Sequence, residues 1–365
     1  IVLSQIRKNI KKIKKKPKKF INTLSKKIIS NFRFPLTKNQ IDIINEINRD
    51  LSSQSKMFRL LQGDVGSGKT IVALIGAANV IEAGYQVAFM VPTEILANQH
   101  YILANKIFKA SNIKIDCLAG KTSNSERKIK INALKENNIN IIFGTHALFQ
   151  KKTEFGNLGL IIIDEQHKFG VKQRMELSKK GGENCDILVM SATPIPRTLI
   201  MTFYGDMDVS KLTEKPSYRK EIISLSKPEI KINEVIKFIK KEITNKNQIF
   251  WVCPLIDESK KLDYEAAVKK FEYLNKIFTG KVGLIHGSLK NEQKETVLKK
   301  FLDKKIKILV STTVIEVGID FPNANVIVIE NSNKFGLSQL HQLRGRVGRG
   351  VNQGTCILLY KKNLS

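Results

Sequence analysis

The chain has 365 residues, with 62 Lys and Arg against 33 Asp and Glu, a formal charge of +29 near neutral pH. At 42% hydrophobic and 26% charged residues the composition is globular, which excludes a disordered or collagenous chain, and the length suits two domains rather than one small module. No apolar run approaches the roughly 18–20 residues of a membrane span, and the charged opening segment has no secretory core, so a soluble cytoplasmic protein is expected.

The first acidic residue is Asp42, and 13 basic residues precede it. In this stretch Ile6, Ile10 and Ile13, then Phe20 or Ile21, Leu24 and Ile28, recur at helical spacing on either side of Pro17. They predict two basic amphipathic helical pieces broken near the proline, so residues 1–30 read as an arm or linker. Three roles stay open for it: a contact to DNA phosphates, a packing arm for a further domain, or a solvated linker. Opening on Ile1 instead of Met, and ending just after an apolar run, the chain is expected to be a piece of something longer.

Beyond the arm, short apolar runs alternate with longer periodic segments. Arg59–Gln62, Gln86–Val91, Ile139–Gly144, Leu160–Asp164 and Ile187–Ser191 predict the strands of a first lobe, residues 31–210. After the polar stretch Thr213–Tyr218 the rhythm resumes with Gln248–Cys253, Val282–His286, Lys307–Ser311, Val326–Ile329 and Thr355–Leu359, a second lobe over residues 211–365. Continuous apolar strands separated by helices predict an α/β protein with two tandem parallel-sheet lobes. No internal repeat is legible as residue identity, and only the first lobe has a phosphate loop. Cys117, Cys185, Cys253 and Cys356 stand at least 68 residues apart, which argues against a disulfide framework or a zinc site.

Two motifs carry chemistry. Gly63-Asp-Val-Gly66-Ser67-Gly68-Lys69-Thr70 lies between a predicted strand and a helical run, Ile71–Ile81. Its glycines let backbone amides curl round phosphates at a helix N-terminus, Lys69 balances the β/γ charge, and the Thr70 hydroxyl suits Mg2+. Leu160-Ile-Ile-Ile-Asp164-Glu165-Gln-His167 is a buried strand ending in two acids. With the phosphate loop upstream, Asp164 suits Mg2+ and Glu165 suits the attacking water. The chain holds 51 Lys and only 11 Arg, so the grouping of Arg344, Arg346 and Arg349 points to a need for the guanidinium fork there.

Taken in order, Gly63–Thr70, Met90-Val-Pro-Thr93-Glu94-Ile-Leu-Ala97, Gly144-Thr145-His146, Asp164–His167, Ser191-Ala-Thr193-Pro, Ser311–Asp320 and Gln342-Leu-Arg-Gly-Arg346-Val-Gly-Arg349 resemble the motif set of superfamily 2 helicases, from about Phe34 to Tyr360. Asp164–Val171, Met190–Thr198, Tyr204–Ser210 and Phe335–Arg349 resemble, more narrowly, the RecG family of branched-DNA helicases.

That resemblance implies two RecA-like lobes closing over ATP, an ATP-driven helicase on branched duplex DNA in repair and recombination, and action as a monomer. It implies that Gln40 reads adenine while Phe34 stacks on it, and that Asp320 lies near the ribose. Arg346 and Arg349 would reach the γ-phosphate, a contribution of roughly 10³–10⁵ in rate, or about 4–7 kcal/mol. His167, Ser191, Thr193 and Gln342 would couple hydrolysis to lobe movement. Thr93, Glu94, Thr145, Thr312 and Thr313 would line a nucleic-acid track built for phosphates rather than bases.

The sequence departs from the family at Thr213-Glu-Lys-Pro-Ser-Tyr-Arg219, where Asp-Glu-Leu-Pro-Pro-Gly-Arg is usual, and at Asn39, where alanine is usual. A motor without the N-terminal wedge domain and C-terminal hairpin is expected, with weak DNA-dependent ATPase activity and no fork regression. The alternatives are a translocase like the transcription-repair coupling factor, and a nucleic-acid-binding module that does not hydrolyse ATP.

Overall fold

The computed structural model describes residues 14–361 apart from 31, 33, 34, 110, 119–122, 151, 152, 165–181, 193–206, 215–219, 255–259, 313–320 and 349–351. The chain divides into two compact units, Ile1–Pro216 and Ser217–Ser365.

In the first unit the strands are β1 (Phe58–Gly63), β2 (Gln86–Met90), β3 (Ile115–Leu118), β4 (Ile141–Gly144), β5 (Leu158–Ile163), β6 (Asp186–Ser191) and β7 (Asp208–Leu212). They form one sheet in the order β3-β4-β2-β5-β6-β1-β7, every pair parallel. Helices α1 (Thr23–Ser30), α2 (Lys38–Leu51), α3 (Lys69–Glu82), α4 (Glu94–Ile107) and α5 (Asn124–Lys135) accompany it. β2, β4, β5 and β6 are buried along their whole length, as their apolar runs require, with the polar Gln86, Asp186 and Ser191 buried at strand ends. β3 and β7 had no clear signal, being short, partly exposed and interrupted by charged residues.

β7 pairs with β1 along its length, from Arg59 opposite Asp208 to Gly63 opposite Leu212. A boundary after residue 210 would cut this strand, so the division moves to the polar segment beyond it.

The second unit has β8 (Ile223–Pro228), β9 (Gln248–Val252), β10 (Val282–Ile285), β11 (Ile308–Ser311), β12 (Ala324–Ile329) and β13 (Thr355–Tyr360), with α6 (Ile232–Thr244), α7 (Lys260–Ile277), α8 (Asn291–Leu302) and α9 (Leu337–Arg344). Its order, β10-β11-β9-β12-β13-β8, matches the first sheet strand for strand once β7 is set aside. β9 corresponds to β2, and both begin with a buried glutamine. Gln86 donates from Nε2 to the carbonyls of Leu134 and Ile139 at 2.9 Å each, and Gln248 to those of Phe301 and Ile306 at 2.6 and 2.8 Å. The amides of the same two glutamines donate to the carbonyls of Asn157 and Asn323. The repeat therefore exists, carried by topology and by the buried amides that close it.

The described part of the N-terminal arm is integral to the first unit and does not stand off it. Lys14 forms an antiparallel bridge with Ser55. The Nζ groups of Lys15 and Lys18 lie 2.7 and 2.6 Å from Asp186 Oδ2, all three side chains having no exposed surface. α1 starts at Thr23, later than the apolar spacing suggests. Asn22 takes a positive φ of 62°, and the Glu82 carboxylate accepts hydrogen bonds from the amides of Ile21, Thr23 and Leu24 at 3.2–3.3 Å. The predicted piece before Pro17 falls almost wholly outside the described residues.

Candidate nucleotide-binding site

β1 ends at Gly63 and α3 begins at Lys69, so the loop between them is set at the helix N-terminus. Gly66 and Gly68 have φ values of 82° and 91°, a region that glycine enters without strain. A side chain on Gly68 would also stand 2.3 Å from Gln40 Nε2. Lys69 Nζ turns back into the loop and donates to the carbonyls of Gly63 at 2.6 Å and Asp64 at 3.0 Å. Ser67 Oγ is buried and, among the described residues, has no hydrogen-bond partner. A buried hydroxyl without a partner among the described residues, beside a lysine whose Nζ turns into a loop of positive-φ glycines, fits an anionic phosphate ligand.

Gln40 is tied to this loop. Its Nε2 donates to the Ser67 carbonyl at 2.9 Å, and its Oε1 accepts the Thr37 amide at 3.0 Å in a capping box that starts α2.

Because every strand is parallel, the groups that follow the strands gather at one edge of the sheet. Thr145 follows β4, Thr93 follows β2, Asp164 follows β5, Ser191 ends β6 and the phosphate loop follows β1. Those strands are successive neighbours, so the groups stand in that order along the edge, at about 4.8 Å per strand. The Asp164 amide donates to the Met90 carbonyl at 2.9 Å and the Val91 amide to the Gly144 carbonyl at 3.0 Å, holding the edge in register. Thr93 caps α4, its hydroxyl accepting the Leu96 amide at 3.4 Å, and Glu94 opens the helix. Asp164, Ser191 and Thr145 are buried, whereas Thr93, Glu94 and Thr70 are half-buried.

In the second unit Thr312 follows β11 and is buried, Gln342 lies half-buried on α9, and Arg346 is buried just beyond that helix. Phe34, Glu165, His167, Thr193, Thr313, Asp320 and Arg349 lie outside the described residues.

One polar residue at this edge was missed. His100, on α4, sets Nε2 3.2 Å from Asp164 Oδ2. Its ring packs 4.9 Å from that of Phe89 and 6.5 Å from that of Phe143. The available signal was its place on the buried face of α4, with Leu96, Ala97, Ala104 and Ile107.

The DEAD/DEAH box helicase family matches residues 37–202, and the helicase conserved C-terminal domain matches residues 230–351. The ATP-dependent DNA helicase RecG of Thermotoga maritima is 49% identical over 361 residues, 98% of this chain and 46% of that protein. Along almost its whole length the chain is similar to RecG helicases. RecG of Bacillus subtilis is 46% identical over 343 residues, 93% of this chain and 50% of that protein. A solved structure of RecG bound to a three-way DNA junction superposes with a TM-score of 0.87 at 46% identity, over 99% of this chain and 48% of that one. The chain thus spans about half the length of the RecG relatives it matches.

The two positions expected to depart from the family pattern meet in space. Asn39 Oδ1 accepts the Thr213 amide at 2.9 Å, and the Asn39 amide donates to Glu214 at 3.2 Å. The connector is fastened, at its start, to the first turn of α2 by Asn39.

Proposed function

We propose that this chain is the ATP-driven motor of a RecG-family helicase acting on branched duplex DNA, at stalled forks and recombination junctions. The observation that carries the reading is the order along the carboxyl edge of the first sheet: phosphate loop, Ser191, Asp164, Thr93, Thr145. Nucleotide-handling groups occupy one end of that edge and candidate phosphate-backbone contacts the other. The named relatives favour RecG over a coupling-factor-like translocase.

In this reading the loop amides from Gly63 to Gly68 cradle the phosphates, and Lys69 turns from the loop carbonyls it contacts to β- and γ-phosphate oxygens. Thr70 and Asp164 would hold magnesium, which when bound neutralises charge on the phosphates. Glu165 orients and deprotonates the attacking water, while Arg346 and Arg349 stabilise charge at the γ-phosphate. Phe34 and Gln40 meet the adenine and Asp320 the ribose. Ser191, Thr193, His167 and Gln342 relay the nucleotide state to the contacts that Thr93, Glu94, Thr145, Thr312 and Thr313 make with the DNA backbone.

Phosphate release with forked, duplex and single-stranded DNA and with RNA tests this. Forked DNA should stimulate most. Lys69→Ala should abolish turnover with the fold intact, and Glu165→Gln should bind ATP while turnover falls by orders of magnitude. Unchanged turnover in Lys69→Ala, or equal stimulation by RNA and forked DNA, would sink the reading.

A further inference from the structure

We propose that His100 is a positioning residue for Asp164, holding that carboxylate in the one orientation that receives a magnesium–nucleotide. The inference rests on the reading of Asp164 as a magnesium-holding group.

An ionised carboxylate only accepts hydrogen bonds, so the imidazole proton sits on Nε2 and is donated to Oδ2 across the 3.2 Å separation. That contact engages one carboxylate oxygen and leaves the other for the cation or its water. The donor is itself immobilised. Phe89 on β2 and Phe143 on β4 lie 5.1 Å apart, and His100 packs against both. β2 is the strand beside β5, which delivers Asp164.

Packing alone gives no reason for a histidine here. Its neighbours on the buried face of α4 are Leu96, Ala97, Ala104 and Ile107, and an apolar side chain would fill the space without burying an imidazole. The polar group is retained where its hydrogen-bond partner among the described residues is the carboxylate at the phosphate-loop edge. Groups standing behind a metal ligand in this way fix its direction, and their loss typically lowers metal affinity about 10- to 100-fold. His100 also lies seven residues into the helix that Thr93 caps, so the helix that supplies a candidate DNA contact supplies the partner of Asp164.

The test uses the full chain and a fluorescent ATP analogue titrated at rising magnesium, with a chelator baseline and no DNA. His100→Leu keeps the apolar volume and removes the donor, whereas His100→Gln can return an amide nitrogen near the place of Nε2. In His100→Leu the magnesium needed for half-maximal binding should rise about tenfold or more, with metal-free binding and the urea midpoint little changed. His100→Gln should recover most of that loss. A wild-type magnesium requirement in His100→Leu, or a His100→Gln protein as impaired as His100→Leu, would overturn the proposal and leave His100 a core residue. Wild-type protein that binds no nucleotide at any magnesium level would instead overturn the motor reading, and this inference with it.

Discussion

Asp186 receives Lys15, Lys18 and the Met57 amide on a carboxylate with no exposed surface, so two buried cations depend on one anion. Removing that anion strands both lysines, whereas removing Lys15 leaves a neutral Lys18–Asp186 pair. Asp186→Asn should therefore cost about 3–5 kcal/mol, the range for breaking a buried pair. Lys15→Met should cost less, about 1–3 kcal/mol, because it mainly orphans the Asp50 and Leu51 carbonyls that Lys15 also serves. Urea unfolding compares them, and equal losses would refute the asymmetry. Burial, ahead of the opposing attraction of Asp186, holds the Lys15 ammonium below its usual 10.5. In the alkaline window between that lowered value and 10.5 the unfolded chain binds more protons. The burden of burying charged Lys15 is thus complete below the window and is relieved as pH rises through it. The gap in stability between wild type and Lys15→Met should shift in favour of wild type over that range, and a gap flat with pH would contradict this.

Among the elements, α1 shows how a helix can depend on a distant side chain. Its own sequence offers no acidic residue in the first turn, and the carboxylate that accepts from its leading amides is Glu82, at the far end of α3. Glu82→Ala should loosen the arm by about 1 kcal/mol, as loss of a cap does. Limited proteolysis should then nick residues between 14 and 30 sooner than in wild type, and identical digestion would rule the cap out. The corresponding strands β1 and β8 explain why one unit carries a phosphate loop and the other does not. β1 runs into a turn of positive-φ glycines, whereas β8 ends in Pro228, which has no amide hydrogen, and a 3-10 turn led by Glu229. The same topological position ends in one case in a glycine turn that fits an anion and in the other in a proline and a 3-10 turn.

For the whole molecule, the division into two units has a spectroscopic consequence. The single tryptophan, Trp251, is fully buried in β9 of the second unit, so its emission follows that unit alone. Far-UV circular dichroism follows both. Urea transitions by the two probes should not coincide, the mark of departure from two-state unfolding. Coincident curves would mean that the units unfold as one.

The glycine-rich loop between β1 and α3, an acid placed directly after a buried strand and the parallel character of both lobes were readable from residues alone. Each depends on local spacing: glycines at a strand-to-helix turn, and apolar runs with no polar face. Asp164 stands immediately after β5, as that reading requires. What spacing does not carry is which distant residues meet. The arm's lysines were legible only as charge, because their burial depends on an aspartate more than 160 residues away. His100 beside Asp164, Asn39 beside Thr213 and the paired glutamines Gln86 and Gln248 likewise join segments far apart in the chain. Local pattern decided the strands and the chemistry at their ends, since side-chain period and backbone conformation are short-range properties. Only the folded sheet decided the partners, because strand order and register bring together residues whose separation along the chain gives no hint of contact.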